Sequence, residues 1–396
     1  MNATEQGSET PAKNWYRESE CSLEAFADQL RNRVDRELRF PVETEHEVPI
    51  YDCRALDEVL IDPVRQRTLQ AEWANVLLDG AGVLVLKNVF RDTAPVDEAT
   101  RIFEEIIRQE RESGTHGADH FAKAGANDRI WNAQEKLCLQ APSVFARYFS
   151  NAFIACVAQA WLGPGYQMTA QVNVVRPGGE AQQAHRDYHL GFQTVEEVQR
   201  FPAHVHKMSP FLTLQGAVAH SDMPIQSGPT KLLPFSQRYA EGYLACRRPD
   251  FRNFFEAHCV QLPLAKGDAL FFNPALFHAA GANRTSDVQR MANLLQVSSA
   301  YGRAMETVDR MRMCEAVYPI LLEYQTDGKL TSIDIDFVIA CTAEGYAFPT
   351  NLDRDPPAGG LAPTSQQALL RRALDETWPQ SMLREALQLQ AWKRTS

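Results

Sequence analysis

His185-Arg186-Asp187 is the stretch of this 396-residue chain that decides its fold, together with His278 and Arg290 further along. Side chains on a strand alternate between its two faces, so residues two apart point the same way. His185 and Asp187 can therefore reach one metal ion together if the tripeptide lies on a strand edge. A histidine from a returning strand, His278, would complete a set of two imidazoles and one carboxylate.

That ligand set predicts a particular metal chemistry. Two histidines and one carboxylate leave metal positions open for substrate and dioxygen, as in non-haem Fe(II) oxygenases. Arg290 opens the mostly apolar run 291–295, and an arginine that points into a β core needs a buried anion as its partner. A guanidinium can hold a carboxylate through two hydrogen bonds. We therefore predict an anion site beside the metal.

Two other stretches of the chain offer histidines at similar spacing. His220-Ser221-Asp222 repeats the tripeptide, but the sequence offers no third ligand for it, so we expect a structural role. His204 and His206 also share same-face spacing. No glutamate follows them closely, as a cupin-type metal site would need, and we interpret that segment as a surface loop.

The residues downstream of the first tripeptide resemble a known family. They are Ser227-Gly228-Pro229-Thr230, Lys266-Gly267-Asp268 before an apolar run, Phe277-His278-Ala279-Ala280-Gly281-Ala282-Asn283, and then Arg290. Their order resembles the phytanoyl-CoA dioxygenase family of Fe(II)/2-oxoglutarate oxygenases over about residues 166–300, with weaker similarity at 78–90. Phe235 and Gln237 depart from the family pattern, which has glycine and histidine there.

The resemblance implies an α+β fold with a double-stranded β-helix (jelly-roll) core over about residues 166–300. N-terminal and C-terminal helices would pack around this core. It also implies that Fe(II) binds to His185, Asp187 and His278. The expected reaction consumes dioxygen and 2-oxoglutarate, hydroxylates an unactivated C–H bond, and releases succinate and CO2.

The resemblance also implies where the cosubstrate 2-oxoglutarate binds. Its distal carboxylate would lie on Arg290. In relatives, an asparagine on the strand before the H-x-D contacts 2-oxoglutarate, which implies that role for Asn173. Gln171 lies two residues away and so shares its face of the strand. The sequence assigns no substrate-binding residue.

Composition and charge argue against several function classes. The net charge of −10 and a pI of about 5.5 argue against nucleic-acid or anionic-membrane surfaces, which need a basic footprint. The sequence has no apolar run long enough for a membrane span and no signal-peptide core. The eight cysteines are scattered without a C-x-x-C motif, which predicts reduced thiols in a cytoplasmic protein.

Hydrophobic periodicity predicts a β-rich centre between helical ends. Residues 1–14 are expected to be disordered, residues 15–300 to form the oxygenase domain, and residues 301–396 to form a helical extension packed on the core. That extension could also form a homodimer or cover the site. We predict helices over 23–38, 64–78, 97–112, 143–162, 306–324, 332–342 and 365–392. We predict strands over 83–89, 166–175, 211–219, 259–264, 269–272, 275–280 and 291–299.

Alternatives to this interpretation remain open at the sequence level. The substrate is expected to be a small or medium-sized metabolite, with an acyl-CoA as the alternative, although Arg247-Arg248 is the one weak candidate for CoA phosphates. A non-catalytic jelly-roll binding protein would keep the barrel without turnover. A zinc hydrolase on the same triad would have no use for Arg290. The segment 188–210 either shapes the substrate pocket or simply connects two strands.

Overall fold

The computed structural model describes residues 14–32, 37–114 and 127–395. Its strands are β1 Glu43–Glu45, β2 Val48–Asp52, β3 Val83–Lys87, β4 Asn127–Ile130, β5 Gln167–Val175, β6 Thr213–Ala219, β7 Lys231–Leu233, β8 Ala269–Phe272, β9 Phe277–Ala279 and β10 Arg290–Ser298. Its helices are α1 Leu23–Arg31, α2 Asp57–Ile61, α3 Pro63–Leu78, α4 Ala94–Glu112, α5 Ala133–Gln140, α6 Pro142–Phe149, α7 Ala152–Leu162, α8 Val195–Val198, α9 Ala203–Met208, α10 Gly242–Ala245, α11 Pro249–His258, α12 Arg310–Thr326, α13 Ser332–Thr342, α14 Gln366–Asp375 and α15 Gln380–Arg394.

The larger sheet has eight strands in the order β1-β2-β3-β8-β6-β10-β5-β4. Only β2 and β3 pair in parallel, and every other neighbour is antiparallel. Its centre is the row β8-β6-β10-β5, which interleaves strands from distant parts of the chain. β1, β2 and β3 extend one edge of this row, and β4 extends the other.

A smaller sheet completes the β core. β7 pairs with β9, His185 forms an antiparallel bridge with His278 in β9, and Val260 forms a bridge with Leu232 in β7. The second row therefore runs from His185 through β9 and β7 to Val260. From β5 to β10 the chain alternates between the two rows, except that β7 and the Val260 segment follow each other in the second row, and this is the double-stranded β-helix topology. The expected α+β jelly roll is confirmed.

Alternating side chains divide the hydrophobic core between the two faces of the larger sheet. In β3, Val83 and Val85 pack inside the β core with Leu270 of β8 and Leu232 of the smaller sheet. Leu84 and Leu86 point to the opposite face and pack with the helices. Two-residue periodicity places one apolar set inside the barrel and the other against the helical layer.

The C-terminal helices belong to that outer layer. Val317 of α12, Val338 of α13, Leu370 of α14 and Leu383 of α15 share one buried cluster with Val172 of β5. The division of the chain at residue 300 stays a prediction, as does the homodimer. The predicted disordered segment 1–14 lies almost entirely outside the described residues.

Several predicted helix boundaries are wrong, and local capping explains two of them. The helix expected over 143–162 is two helices, because Asn151 starts α7 by accepting hydrogen bonds from the amides of Phe153 (3.0 Å) and Ile154 (3.2 Å). The helix expected from 306 starts at Arg310, because Asp309 accepts a hydrogen bond from the amide of Arg312 at 3.0 Å. An aspartate or asparagine at the N-cap position favours the start of a helix there, because its side-chain oxygen accepts hydrogen bonds from the free amides of the first turn.

Two further predictions fail at prolines. The helix expected over 365–392 is divided into α14 and α15 at Thr377, whose φ is 52°, and at Pro379. The strand expected over 259–264 is reduced to single bridges at Val260 and Leu264. Pro263 lies between these bridges, and proline has no backbone N–H to donate to a ladder.

All eight cysteines are free, and every one except Cys259 is buried. Burial raises the pKa of the thiols, as at Cys156, where it reaches about 12. Within the part of the chain that the structure describes, no helix is both long and apolar enough to span a bilayer.

Candidate metal centre

The structure brings His185, Asp187 and His278 together at the edge of the smaller sheet. The backbones of His185 and His278 exchange two hydrogen bonds, of 3.1 and 3.2 Å, and the amide of Asp187 donates to the carbonyl oxygen of Pro274 at 3.1 Å. One potential ligand atom from each of the three residues lies within 4.8 Å of the other two. Strand β9 therefore places His278 beside His185 and Asp187, which are two residues apart and point the same way.

Backbone carbonyls fix both imidazoles in the tautomer that a metal needs. His185 Nδ1 lies 2.8 Å from the carbonyl oxygen of Gln183, and His278 Nδ1 lies 2.9 Å from that of Leu276. A carbonyl can only accept, so each Nδ1 carries the proton and donates it. Each Nε2 is then the nitrogen that faces Asp187 and would bind a metal, which is the usual supporting arrangement for metal-binding histidines.

Asp187 is ionised in this setting. Its carboxylate oxygens lie 3.7 Å from His185 Nε2 and 3.3 Å from His278 Nε2, and the side-chain amide of Gln215 donates to Oδ2. Burial raises the pKa of Asp187, but His185, His278 and Gln215 outweigh it and hold the pKa below its ordinary value. Burial and then His278 lower the pKa of His185. The site therefore offers one carboxylate and two imidazoles to a cation.

Two glutamines on adjacent strands support this carboxylate. Gln215 of β6 stands directly across from Gln296 of β10. Gln296 accepts a hydrogen bond from the hydroxyl of Tyr188, the residue that follows Asp187. Tyr188 has a φ of 61°, a left-handed conformation that costs a non-glycine residue free energy and persists only when its surroundings hold it. Gln215 and Gln296 thus fix both Asp187 and its neighbour.

Arg290 opens β10 as a buried cation. Arg290 is only 6% exposed, and burial alone lowers the pKa of its guanidinium to about 10. Across residues 14–32, 37–114 and 127–395, no carboxylate forms an ion pair with it. A buried guanidinium without an internal anion is costly, so Arg290 is suited to hold the carboxylate of a ligand.

Asn173 and Gln171 lie on the same inner face of β5, as expected. Asn173 is opposite Ala292 and Gln171 is opposite Leu294 on β10, and the buried Oδ1 of Asn173 has no hydrogen-bond partner. Gln171 Oε1 accepts a hydrogen bond of 2.9 Å from Arg129 of β4. Arg129 stands across from Asn173 in the sheet, so a second arginine reaches the same face.

These side chains share one cavity of about 620 Å³, which is in the size range of small-molecule sites. The metal triad, Arg290, Asn173 and Gln171 all line it. Its apolar wall comes from both sheets. The apolar wall includes Met223, Leu232, Leu262, Leu264, Leu270 and Phe272.

The sequence did not reveal two of the polar residues in this cavity. Gln215 interrupts the apolar strand β6 on its inward face, and that interruption is a signal that could have identified it. Arg129 lies in a four-residue strand, which is too short for periodicity to carry information. Gly191 and Phe192 also line the cavity, so the segment 188–210 does shape the pocket.

The second H-x-D has a different role. Its buried His220 lies 2.8 Å from Thr100 Oγ1 through Nδ1 and 2.9 Å from the hydroxyl of Tyr148 through Nε2. Asp222 accepts a hydrogen bond of 2.9 Å from the amide of Lys266. Burial lowers the pKa of His220 to about 3. Both imidazole nitrogens are engaged with hydroxyls, so the expected structural role is confirmed.

The predicted surface loop at His204 and His206 is wrong. These residues lie in the short helix α9, and His206 is buried with Nε2 3.2 Å from the carbonyl oxygen of Val198. The preceding apolar residues Val195, Val198 and Phe201 pack in a buried cluster and hold this segment against the core. His206 is a core histidine, and it does not line the cavity.

Glycines explain two of the motifs around the site. Gly228 has a φ of 72°, and a Cβ there would lie 2.3 Å from the carbonyl oxygen of Ala282. A Cβ on Gly281 would lie 2.8 Å from the carbonyl oxygen of Pro229. The loop after β6 and the loop after β9 therefore touch through backbone, and a side chain at either glycine would separate them.

A sequence model described as phytanoyl-CoA dioxygenase (PhyH) matches residues 67–292, more than half of the chain. The chain belongs to this family. It is therefore a non-haem iron, 2-oxoglutarate-dependent dioxygenase, and Fe(II) and 2-oxoglutarate are its cofactor and cosubstrate.

Curated relatives include two fungal proteins named as dioxygenases. Dioxygenase trt7 of Aspergillus terreus is 25% identical over 226 residues, which cover 56% of this chain and 72% of the relative. Dioxygenase andF of Emericella variicolor is 22% identical over 218 residues, which cover 54% of this chain and 69% of the relative.

Similar solved structures include two enzymes of nogalamycin biosynthesis. The non-haem, α-ketoglutarate-dependent epimerase SnoN is 20% identical with a TM-score of 0.38, covering 60% of this chain and 84% of its own. The carbocyclase SnoK, which is also a non-haem, α-ketoglutarate-dependent enzyme, is 19% identical with a TM-score of 0.39. The match covers 56% of this chain and 80% of SnoK.

Proposed function

We propose that this dioxygenase hydroxylates an unactivated C–H bond of a small or medium-sized metabolite, with Fe(II) held by His185, Asp187 and His278. The observation that carries this proposal is one cavity containing both the triad and the buried, unpaired Arg290. A metal site alone would fit many chemistries. A metal site with a buried cation at its side fits a chelating dicarboxylate.

The side chains have separable roles. The two Nε2 atoms and one Asp187 oxygen would hold the metal on one face, and Gln215 would keep the carboxylate from rotating. Arg290 would bind the distal carboxylate of 2-oxoglutarate. Asn173, whose buried Oδ1 lacks a partner, and Gln171 would border the cosubstrate along β5.

The bound metal and cosubstrate supply the oxidation, in which dioxygen and 2-oxoglutarate are converted to succinate, CO2 and one oxygen atom for the substrate. The protein contributes position and the exclusion of water. The apolar wall from both sheets keeps that reaction in a low-dielectric space. Desaturation and ring closure would use the same residues, so the product decides between these outcomes.

The other interpretations have less support from the same residues. A zinc hydrolase would leave Arg290 buried without an anion, and a non-catalytic barrel would have no need of three aligned ligand atoms. The acyl-CoA alternative rested on Arg247 and Arg248. Arg248 is paired with Asp250 at 2.7 Å, and Arg247 donates to the carbonyl oxygen of Gly191 at 2.8 Å.

Oxygen-dependent conversion of 2-oxoglutarate to succinate tests this proposal. We expect Fe(II) to support slow conversion that an extract of candidate metabolites accelerates, and one labelled oxygen atom from dioxygen to enter both succinate and product. Substitution of Zn(II) should stop the conversion. Turnover with zinc in the absence of oxygen would instead establish a hydrolase.

A further inference from the structure

Helix α11 brings a cation to the metal cavity. Its buried Phe251 and Phe255 pack in one cluster with Phe277 of β9 and Leu233 of β7, so the helix lies against the outer face of the smaller sheet. Arg252 follows Phe251 on this helix and borders the same cavity as the metal ligands. A positively charged side chain of the outer layer therefore reaches the space where a substrate would bind.

The Arg252 guanidinium is held at one nitrogen only. Its Nε donates to the carbonyl oxygen of Cys246 at 3.3 Å. Among the residues that the structure describes, its two terminal nitrogens have no hydrogen-bond partner and no carboxylate forms an ion pair with it. A guanidinium has five N–H donors in a planar fork, so the outer edge of this fork can bind a ligand.

The acidic residues of α11 do not neutralise Arg252, because each has another partner. Asp250 pairs with Arg248 at 2.7 Å. Glu256, one turn beyond Arg252, pairs with Lys231 of β7 at 2.5 Å. The charge of Arg252 is therefore not balanced from its own helix.

Arg129 also borders the cavity, but it belongs to a polar cluster in the cavity wall. It donates to Gln171 Oε1 at 2.9 Å. The partly buried carboxylate of Glu306 interacts with both Arg129 and the side chain of Gln171, and it accepts a hydrogen bond of 2.7 Å from the amide of Asn132. Arg129 thus has an internal carboxylate, whereas the described parts of the chain provide none for Arg252.

The two other arginines that line the cavity have partners of a different kind. Arg186 donates to the carbonyl oxygens of Ser236 (2.7 Å) and Tyr239 (2.9 Å). Arg290 would hold the distal carboxylate of 2-oxoglutarate under the proposed function. Of the lining residues that the structure describes, Arg252 is therefore the cation left to bind a further anion.

We infer that Arg252 binds an anionic oxygen group of the substrate, either a carboxylate or a phosphate ester. The planar fork matches both groups through paired hydrogen bonds. The apolar wall of the cavity and the exposed Phe192, which borders it, would contact the hydrocarbon part of the same molecule. This inference rests on the proposed function, since it names a substrate-recognition residue of the same site.

Three probes with the same hydrocarbon chain test this inference: octanoate, octyl phosphate and octan-1-ol. Each is titrated anaerobically into the full-length protein with Fe(II) and saturating 2-oxoglutarate, so that Arg290 is already occupied, and its affinity is measured by calorimetry. We expect the better-bound anion to exceed the alcohol in affinity by at least about tenfold, because the alcohol cannot form a charge-assisted pair. Tighter binding of octanoate assigns a carboxylate, and tighter binding of octyl phosphate assigns a phosphate ester.

Substitutions of Arg252 test whether this residue causes the preference for an anion. Arg252→Gln should abolish the preference, and Arg252→Lys should retain part of it, since the charge remains but the fork is lost. Arg67→Gln is the matched control, because Arg67 is an exposed residue of α3 that does not border the cavity. It should keep the full preference.

Three results would overturn the inference: equal affinities of anions and alcohol in the wild type, no binding of either anion, or a preference that persists in Arg252→Gln. The last result would mean that the anion binds to the metal or to another residue. Absence of the visible charge-transfer band of Fe(II) and 2-oxoglutarate before any probe is added would instead refute the proposed function.

Discussion

The two H-x-D tripeptides of this chain have the same spacing but differ in the groups that contact their histidine ring nitrogens. His185 and Asp187 lie at the edge of the smaller sheet, where backbone carbonyls occupy Nδ1 and leave Nε2 facing a carboxylate. His220 lies behind the larger sheet, where Thr100 and Tyr148 occupy both ring nitrogens. The tripeptide supplies potential ligands, but the partner of each ring nitrogen decides whether a metal could bind to them.

The comparison also separates two kinds of buried polar residue. At His220 the protein satisfies every donor and acceptor internally, so the residue stabilises the fold. Around His185 the protein leaves the buried guanidinium of Arg290 without an internal anion and the buried Oδ1 of Asn173 without a hydrogen-bond partner, and such groups are costly unless a ligand completes them. The predictions below compare these two sites, in order of decreasing effect.

The largest effect is expected from the ligands themselves. His278→Ala should lose most Fe(II) binding and all turnover, because two side chains cannot hold the metal on one face. His220→Gln should retain full metal content, since that side chain faces hydroxyls. Metal analysis of both purified variants measures this difference, and full iron occupancy in His278→Ala would show that the wrong constellation was chosen.

Arg290→Ala should raise the KM for 2-oxoglutarate by roughly two orders of magnitude while iron content stays unchanged, because the distal carboxylate would be buried without its partner. Arg290→Lys should restore only part of the affinity, since the planar fork is lost. Arg284→Ala is the control at an exposed arginine of the preceding loop. An unchanged KM in Arg290→Ala would remove this residue from the cosubstrate site.

Gln215→Leu should weaken Fe(II) binding by about tenfold, the effect typical of a residue that orients a metal ligand. The side-chain volume is preserved, so thermal stability should change little. Gln159→Leu makes the same substitution on α7, away from the cavity, and should leave iron affinity unaltered. Equal iron affinities of the two variants would mean that Gln215 does not position Asp187.

The smallest effect concerns pH and stability. Burial depresses the pKa of His220 to about 3 from an ordinary 6.5, so between these values the unfolded chain binds a proton that the folded protein excludes. The stability of the metal-free protein should therefore fall as the pH drops from about 6.5 towards about 3. His220→Gln lacks this step, and its urea midpoint should fall less steeply over the same range. Parallel curves would contradict a neutral, buried His220.

The sequence was sufficient for the parts of the site that the chain order determines. His185, Asp187, His278 and Arg290 lie at fixed places in the strand order of the jelly roll, so motif spacing located them. Arg129 and Gln215 reach the cavity through cross-strand pairing between β4, β5, β6 and β10, which a single sequence does not contain. Helix breaks at Asn151 and Thr377 were missed because periodicity runs through them, whereas capping and a left-handed backbone determine them.

The central claim is that His185, Asp187 and His278, and no residue of the second tripeptide, hold the iron that binds 2-oxoglutarate. Anaerobic addition of Fe(II) and 2-oxoglutarate to metal-free protein tests it most directly, through the visible charge-transfer band of the chelated complex. The band should form in the wild type and in His220→Gln, and should be absent in His278→Ala. A band retained in His278→Ala, or lost in His220→Gln with the fold intact, would contradict the claim.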